Sequence, residues 1–397
     1  MSYKGEEYFP IIIQILLASF LWVSVEWLQM NLLMGIPWVK ETIAVSQLRS
    51  LYGIQLASIT GQWGISFIVV SVNMLFALAI KNKKRNYFIS GILHIMLFYF
   101  AGFIVYNLYD NTESKKIEVA IIQENIKAET RWNEANGDAF AKRFFDLNRE
   151  AASYNPDLIV WSETALPWTF RTDDNLVKNV LKITKKAQSA HILGILSESQ
   201  KHPDKVYNSA YYIQPDGTVS SRYDKVNLLS FIESPLINKD FKVPFLSEGI
   251  YSNILSGSSY EPLKTKLGML GILMCNESLT PYESKKFVSN GAELLINISN
   301  DAWLENTHLI ERHFYAARLR AVETGKDILT NSNRGYGGHI SGNGTIITQN
   351  ISKKASCTIS SVTLHQKTSF YCKFGDWFIC TGVIVMILII PFYLRQE

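Results

Sequence analysis

What the chain lacks narrows its function first. It has only four cysteines, Cys275, Cys357, Cys372 and Cys380, and no pair has CxxC spacing. Neither a zinc site nor a disulfide framework is suggested, although a Cys357–Cys372 bridge is conceivable outside the cytoplasm. The seven histidines form no metal motif. Their nearest approach, HLIERH from His308 to His313, lacks zincin spacing and reads as part of an ordinary helix. No basic stretch is interleaved with aromatic residues, and the net charge is only +4. That excludes the pattern that follows a nucleic-acid strand. A cleaved signal peptide would need a basic n-region, which Glu6 and Glu7 spoil. There is no internal repeat and no low-complexity segment.

What is present is a mixture. Of the residues, 47% are hydrophobic, 12% aromatic and 19% charged, and the mean hydropathy is +0.05. A soluble domain joined to membrane helices gives that balance. Tyr8 to Val25, Trp63 to Ile80, Phe88 to Tyr106 and Trp377 to Leu394 are apolar runs long enough for about four transmembrane helices, three N-terminal and one C-terminal. The stretch WLQMNLLMGIPWVKETIAVSQLRSLYG after the first run suits a membrane interface. Lys81, Lys83, Lys84 and Arg85 crowd the short loop between the second and third spans, and the positive-inside rule places that loop in the cytoplasm. Everything from about Asp110 then lies outside it until the last span returns. The reading divides the chain into a membrane region at 1–109, a catalytic domain at 110–370 and a C-terminal helix with a short tail at 371–397. His94 is an ionisable group at membrane depth and is given no role.

From Ile117 to about Val362 the pattern is that of an α/β domain. IEVAIIQ, DLIVW, HILGILSE and ELLINIS read as strands, separated by segments of helical period. VYNSAYYIQPDGTVSSRYDK reads as a hairpin with Asp-Gly at its turn. Alternating strands and helices argue for a covered, largely parallel sheet plus hairpins. Glu233 to Lys264 has little periodicity, and a loop of that kind is usually a lid or a binding loop.

Three short segments can carry chemistry. WSETALP places Glu163 just past a buried strand, and RYDKVNLLSFIES places Lys225 at the end of the hairpin with Glu233 following. The apolar run Leu267 to Met274 stops abruptly at Cys275, where a side chain can face a cleft. Each also has a plain reading, as a solvated strand end, a surface lysine or a small core hydrophobe.

In this order the Glu, Lys and Cys segments resemble the triad of the nitrilase, or carbon–nitrogen hydrolase, superfamily. Their detail is similar to its membrane branch, the apolipoprotein N-acyltransferases. WSETALP matches that family's carboxylate motif, and Lys225 with Glu233 keeps its lysine-to-glutamate spacing. CNES stands where the family has Cys-Tyr-Glu, which retains Cys275 and Glu277 and puts Asn276 in the tyrosine position. SNDAWL (Ser299 to Leu304), RHFYAARLRAVE (Arg312 to Glu323) and EWLQMNLLMGIPW (Glu26 to Trp38) match further stretches. QENIKAETRW resembles the segment that contributes a pocket tryptophan, here Trp132. Two departures stand out. The family usually has more spans before the catalytic domain, and its Pro-Phe-Gly-Glu is here Ser230 to Glu233.

The resemblance implies a nitrilase-like αββα sandwich and a Glu163–Lys225–Cys275 triad, with Glu233, Glu277, Trp132 and Asn276 supporting or binding substrate. An ammonium such as Lys225 favours the thiolate of a nearby cysteine, and a carboxylate such as Glu163 can take and return a proton. The implied reaction passes an acyl chain from a membrane phospholipid to Cys275 as a thioester. The chain then passes to the α-amino group of the diacylglyceryl-cysteine that begins an apolipoprotein. The implied location is the bacterial inner membrane with the catalytic domain on the periplasmic side, and no metal or organic cofactor is called for. ALPWTF (Ala165 to Phe170) and LLSFIESPLI (Leu228 to Ile237) would line the acyl entrance, or pack as ordinary core. Two alternatives remain at this stage, a membrane-anchored nitrilase-type amidase and a non-catalytic member that binds lipoproteins or lipids.

Overall fold

The computed structural model describes residues 8–33, 36, 41–109, 115–130, 132–133, 135–230, 232–234, 253–351 and 353–394. The chain opens with helix α1 (Tyr8–Leu32) and a 3-10 turn at Ile43–Gln47, followed by α2 (Ala57–Thr60), α3 (Gln62–Asn82) and α4 (Arg85–Asn107). The helices α1, α3 and α4 are long and apolar enough to cross a membrane. Leu21, Trp22, Leu93, Leu97 and Phe100 are exposed on them, which suits a lipid surround and not water. Expected Tyr8 to Val25, the first helix runs on to Leu32 because nothing from Glu26 to Leu32 breaks it. Trp27 is therefore on a helix and not in an interfacial loop. Four residues of the Glu26 to Trp38 segment, Met34, Gly35, Pro37 and Trp38, lie outside the described residues. His94 bonds its own helix through the Ser90 carbonyl, at 2.8 Å.

The α/β domain follows in chain order: β1 (Lys115–Gln123), α5 (Gly137–Ala152), β2 (Leu158–Val160), α6 (Asn175–Thr184), β3 (Ala190–Glu198), β4 (Val206–Ile213), β5 (Val219–Asp224), β6 (Ile254–Leu255), β7 (Leu263–Lys264) and β8 (Met269–Met274). Then come α7 (Pro281–Ser289), β9 (Leu294–Asn300), α8 (Leu309–Thr324), β10 (Ile328–Asn333), β11 (Tyr336–Ile340), β12 (Ile346–Ile351), β13 (Ser356–Leu364), α9 (Phe370–Phe374) and α10 (Trp377–Leu394). One sheet has the order β13-β1-β2-β3-β4-β5, with β6 on β4, and the other has the order β12-β11-β10-β9-β8-β7. The central strands β1, β2 and β3 are parallel, as are β8, β9 and β10, and hairpins flank both sets. Residues from both sheets, including Ile121, Val160, Ile272 and Ile296, share one apolar core. The expected αββα sandwich is thus present, with α5 and α6 against the first sheet and α7 and α8 against the second. The last apolar run forms α10, 18 residues from Trp377 to Leu394.

RHFYAARLRAVE docks the domain on the membrane helices. Arg318 donates to the carbonyls of Gly344 (2.6 Å) and Arg49 (2.9 Å), and Arg320 donates to Gln62 Oε1 (3.0 Å). Glu323 accepts from the Gln62 N–H at 2.9 Å, at the start of α3. Asp376 is a second joint. It accepts from the indole N–H of Trp27 and Trp63 and from the hydroxyl of Tyr371, and it pairs with Lys285. Buried guanidinium and carboxylate groups need such partners, so each joint specifies one docking geometry. All four cysteines are free thiols, which leaves the conceivable Cys357–Cys372 bridge unmade.

Candidate active site

The C-terminal ends of β2, β5 and β8 deliver the three expected side chains. The strand β2 ends at Val160, and the following turn carries Glu163 with Thr164 in the left-handed region at φ +46°. This close approach requires Gly194 on β3, where a Cβ would lie 2.2 Å from the Ser162 carbonyl oxygen. Lys225 follows β5 and is held by its N–H on the Asn208 carbonyl at 2.8 Å. Cys275 follows β8 at φ +50° and starts the 3-10 turn Cys275–Leu279. Only a sharp strand-to-helix turn puts a thiol at that position, and left-handed strain at a non-glycine residue marks a built feature.

Two carboxylates share one ammonium. Lys225 Nζ lies 2.8 Å from Glu233 Oε2 and 3.3 Å from Glu163 Oε1, and all three side chains are at least nine-tenths buried. Asn208 donates to both acids, at 2.7 Å to Glu163 and 3.2 Å to Glu233. The backbone N–H groups of Asn300 and Leu229 complete the set, one on each acid. Burial alone would lower the Lys225 pKa, but Glu163 and Glu233 outweigh it and hold the ammonium well above the usual lysine range. Burial pushes Glu163 up, with Lys225 pulling it down and Glu233 pushing it further up.

The thiol corrects one expectation. Lys225 was expected to favour a thiolate, yet Cys275 is raised well above the ordinary cysteine value by burial and by Glu163, and Lys225 only partly offsets this. Burial disfavours the thiolate most, and Glu163 adds to it, so the resting sulfur keeps its proton despite the nearby ammonium. A buried carboxylate whose pKa is raised, close to a protonated thiol, is matched to take that proton during reaction.

Glu277 is buried below the Cys275 turn. Its Oε1 accepts from the Tyr223 hydroxyl (2.8 Å) and the N–H groups of Val226 and Asn227 (both 3.0 Å), and its Oε2 accepts from the Met274 N–H at 2.9 Å. It thereby ties the segment after Lys225 to the residue before Cys275. Burial pushes its carboxyl up to about 7, against the pull of the Asn227 N–H. A glutamine there would turn an amide nitrogen toward one of these donors, so Glu277→Gln should cost about 1–3 kcal/mol of stability. Thermal unfolding of the purified variant measures it. Asn276 is buried and donates to the Asn227 carbonyl at 3.0 Å, on the same seam.

Two expectations are redirected. Trp132 is half-buried, and its rings meet Phe140, Phe144 and Trp168 against the first sheet, so its described contacts are with core aromatics. ALPWTF enters the same cluster through Ala165 and Leu166, and Phe170 stacks on Tyr211 at 4.2 Å. This is the core-packing reading of that segment. Phe231, Pro235 to Ile237 and most of the loop after Glu233 lie outside the described residues.

Sequence reading missed Asn208, Asn300, Asp301 and His313. Asp301 and His313 bring a carboxylate and an imidazole to within 4.8 Å of the Cys275 sulfur. His313 Nδ1 pairs with Asp301 Oδ1 at 2.9 Å, and Ser332 donates to Oδ2 at 2.8 Å. With both Asp301 oxygens and this His313 nitrogen already engaged in hydrogen bonds, the group is an acid–base cluster more than a ligand set for a metal. The SNDAWL and RHFYAARLRAVE stretches, and the HLIERH spacing that ends at His313, held the signal for these two residues.

The chain also resembles known proteins in sequence and fold. Residues 118–364 match the carbon-nitrogen hydrolase family model, and residues 6–75 match the model for the apolipoprotein N-acyltransferase N-terminal domain. The chain is 28% identical over 375 residues to the apolipoprotein N-acyltransferase of Geobacter metallireducens, covering 91% of this chain and 71% of that protein. It is 26% identical over 407 residues to apolipoprotein N-acyltransferase 2 of Treponema denticola, covering 95% and 76%. Among solved structures the fold is similar to that of the C. elegans NitFhit protein, with a TM-score of 0.50, 16% identity and coverage of 64% of this chain and 62% of that one. Taken with the sandwich and the membrane helices, these matches show that the chain belongs to the carbon–nitrogen hydrolase family, in its apolipoprotein N-acyltransferase branch.

Proposed function

We propose that the protein transfers an acyl chain from a membrane phospholipid, through a thioester on Cys275, to the α-amino group of an S-diacylglyceryl-cysteine at the start of an apolipoprotein. The observation that carries this reading is the joining of a buried Glu163–Lys225 pair to Cys275, in a domain docked on apolar helices. In the first half-reaction Glu163 takes the Cys275 proton as sulfur attacks the ester carbonyl. The ester C–O bond then breaks, and the proton passes to the departing lysophospholipid alcohol. Lys225 stabilises the oxyanion, and Glu233 and Asn208 hold Lys225 and Glu163 in place. Glu277 and Asn276 fix the nucleophile turn.

Within this reading the membrane region covers residues 1–109, the catalytic domain 110–370, and the last helix with its tail 371–397. Both substrates are amphiphiles held in a bilayer, so a site tethered to its surface meets them without extracting them into water. The basic loop at Lys81 to Arg85 faces the cytoplasm, which sets the catalytic domain on the periplasmic face of the inner membrane. The hydrolytic alternative differs only in the acceptor. An acyl-loaded enzyme that releases free fatty acid, and no acylated peptide, would select it.

The electrostatics set a pH profile for loading. Glu163 must be ionised to accept the thiol proton, and its pKa is raised, so loading should rise with pH along a limb above the ordinary glutamate value of about 4.3. Lys225 and Cys275 both stay protonated well into the alkaline range, so no fall should appear below about pH 9. Rates of acyl-adduct formation across that range measure it. A fall near neutral pH would contradict the assignment.

A further inference from the structure

The two half-reactions differ in their proton count. Loading moves one proton, from the Cys275 sulfur to the departing alcohol. The acceptor amine has a pKa of about 7.7–8.0 and arrives mostly as an ammonium at neutral pH. That ammonium carries three hydrogens, and the amide product keeps one. As the N–C bond forms and the C–S bond breaks, one proton returns to sulfur through Glu163. The second must leave by another base, and Lys225, held protonated beside Glu163, cannot take it.

We infer that the His313–Asp301 pair is this second base, a role that rests on the thioester reading above. The imidazole and the carboxylate both reach within 4.8 Å of the Cys275 sulfur. A nitrogen attacking the thioester carbonyl must come within about 3–3.5 Å of a carbon bonded to that sulfur, so it arrives next to the pair. Asp301 orients the ring through Nδ1, and Ser332 in turn fixes Asp301. The pair borders a small chamber of mixed lining, with Asn297, Ser299 and Ser332 on its polar side and Ile310 and Phe314 on its apolar side, and room for about one water molecule to carry a proton onward. The buried Asn297 Oδ1 accepts no hydrogen bond among the described residues and is available to such a donor. The titratable groups around His313 are Asp301, Cys275 and Tyr336, while Arg312 on its own helix is engaged by Glu41.

The test separates loading from transfer. Wild type, His313→Gln and Asp301→Asn are incubated with phospholipid, acyl-adduct formation is followed by intact mass, and thermal unfolding shows that each variant is folded. Loaded protein is then mixed with a diacylglyceryl-cysteine peptide between about pH 6.5 and 9, spanning the amine pKa. Transfer from the variants should be about 10²-fold slower than from wild type at the acidic end. It should recover toward wild type as the free amine accumulates. An alkoxyamine acceptor, neutral throughout this range, should discharge all three proteins alike. Equal slowing with both acceptors at every pH, unchanged transfer, or a loss of loading confined to the variants would each overturn the inference. Wild type that never loads would overturn the thioester reading itself.

Discussion

Cys275→Ala should load no acyl chain, and its transfer rate should fall by about 10⁴-fold or more, to background. No other described thiol is placed to substitute for it. Cys357 faces the first-sheet core, and Cys372 donates weakly to the Glu323 carbonyl on the docking side of the domain. Folding should survive the change. Alanine meets the same φ of +50° as the cysteine it replaces, and it leaves in place the Met274 N–H bond to Glu277 that holds the turn. The expected pair of results is therefore an unchanged unfolding transition and a lost adduct. An adduct that persisted on another residue would remove Cys275 as the nucleophile.

The second large effect is on stability. Among the described residues, Lys225→Met removes the only cation within bonding distance of Glu163 and Glu233 and leaves two buried carboxylates facing each other. Breaking a buried pair by removing one partner costs about 3–5 kcal/mol. The sign of its pH dependence follows from the direction of the shift. Glu163 is already above the ordinary glutamate value, and losing Lys225 raises it further. A carboxyl whose folded pKa is raised binds its proton more tightly in the native state. Its contribution is thus fully present below the unfolded value of about 4.3 and is lost as pH rises through the folded one. The variant should therefore be closest to wild type in acid and weakest at neutral pH and above. Adding Glu233→Gln should recover part of the loss by removing one of the two charges. Denaturant unfolding of the three proteins at acidic and neutral pH measures this. A Lys225→Met deficit that grows toward low pH would contradict the charge balance described here.

How much of this was legible beforehand depended on where each signal lies along the chain. Glu163, Lys225 and Cys275 each follow a strand with a strong local pattern, so their segments could be read directly, and the sandwich then brings the ends together. Asn208 and Asn300 could not be read in this way. Asn208 lies within a hairpin strand and Asn300 at the end of β9, and only the pairing of β3 with β4 and the approach of the second sheet aim them at Glu163. His313 appeared as one residue of an unremarkable helical stretch, because its partner Asp301 is on another element. The protonation state of the thiol was not legible because the pull of Lys225 toward the thiolate was weighed without burial, the largest influence, and without Glu163, both of which act the other way. The role of Arg318 and Arg320 in docking the domain was equally hidden, since their carbonyl and amide partners lie far away in the chain.

Intact-mass spectrometry of the purified protein after incubation with phospholipid and no acceptor decides whether Cys275 carries the acyl chain. One acyl mass should appear on Cys275 and be discharged by a diacylglyceryl-cysteine peptide to give an N-acylated product. A folded protein that forms no adduct, or whose adduct is discharged only by water, would contradict the acyl-transfer reading.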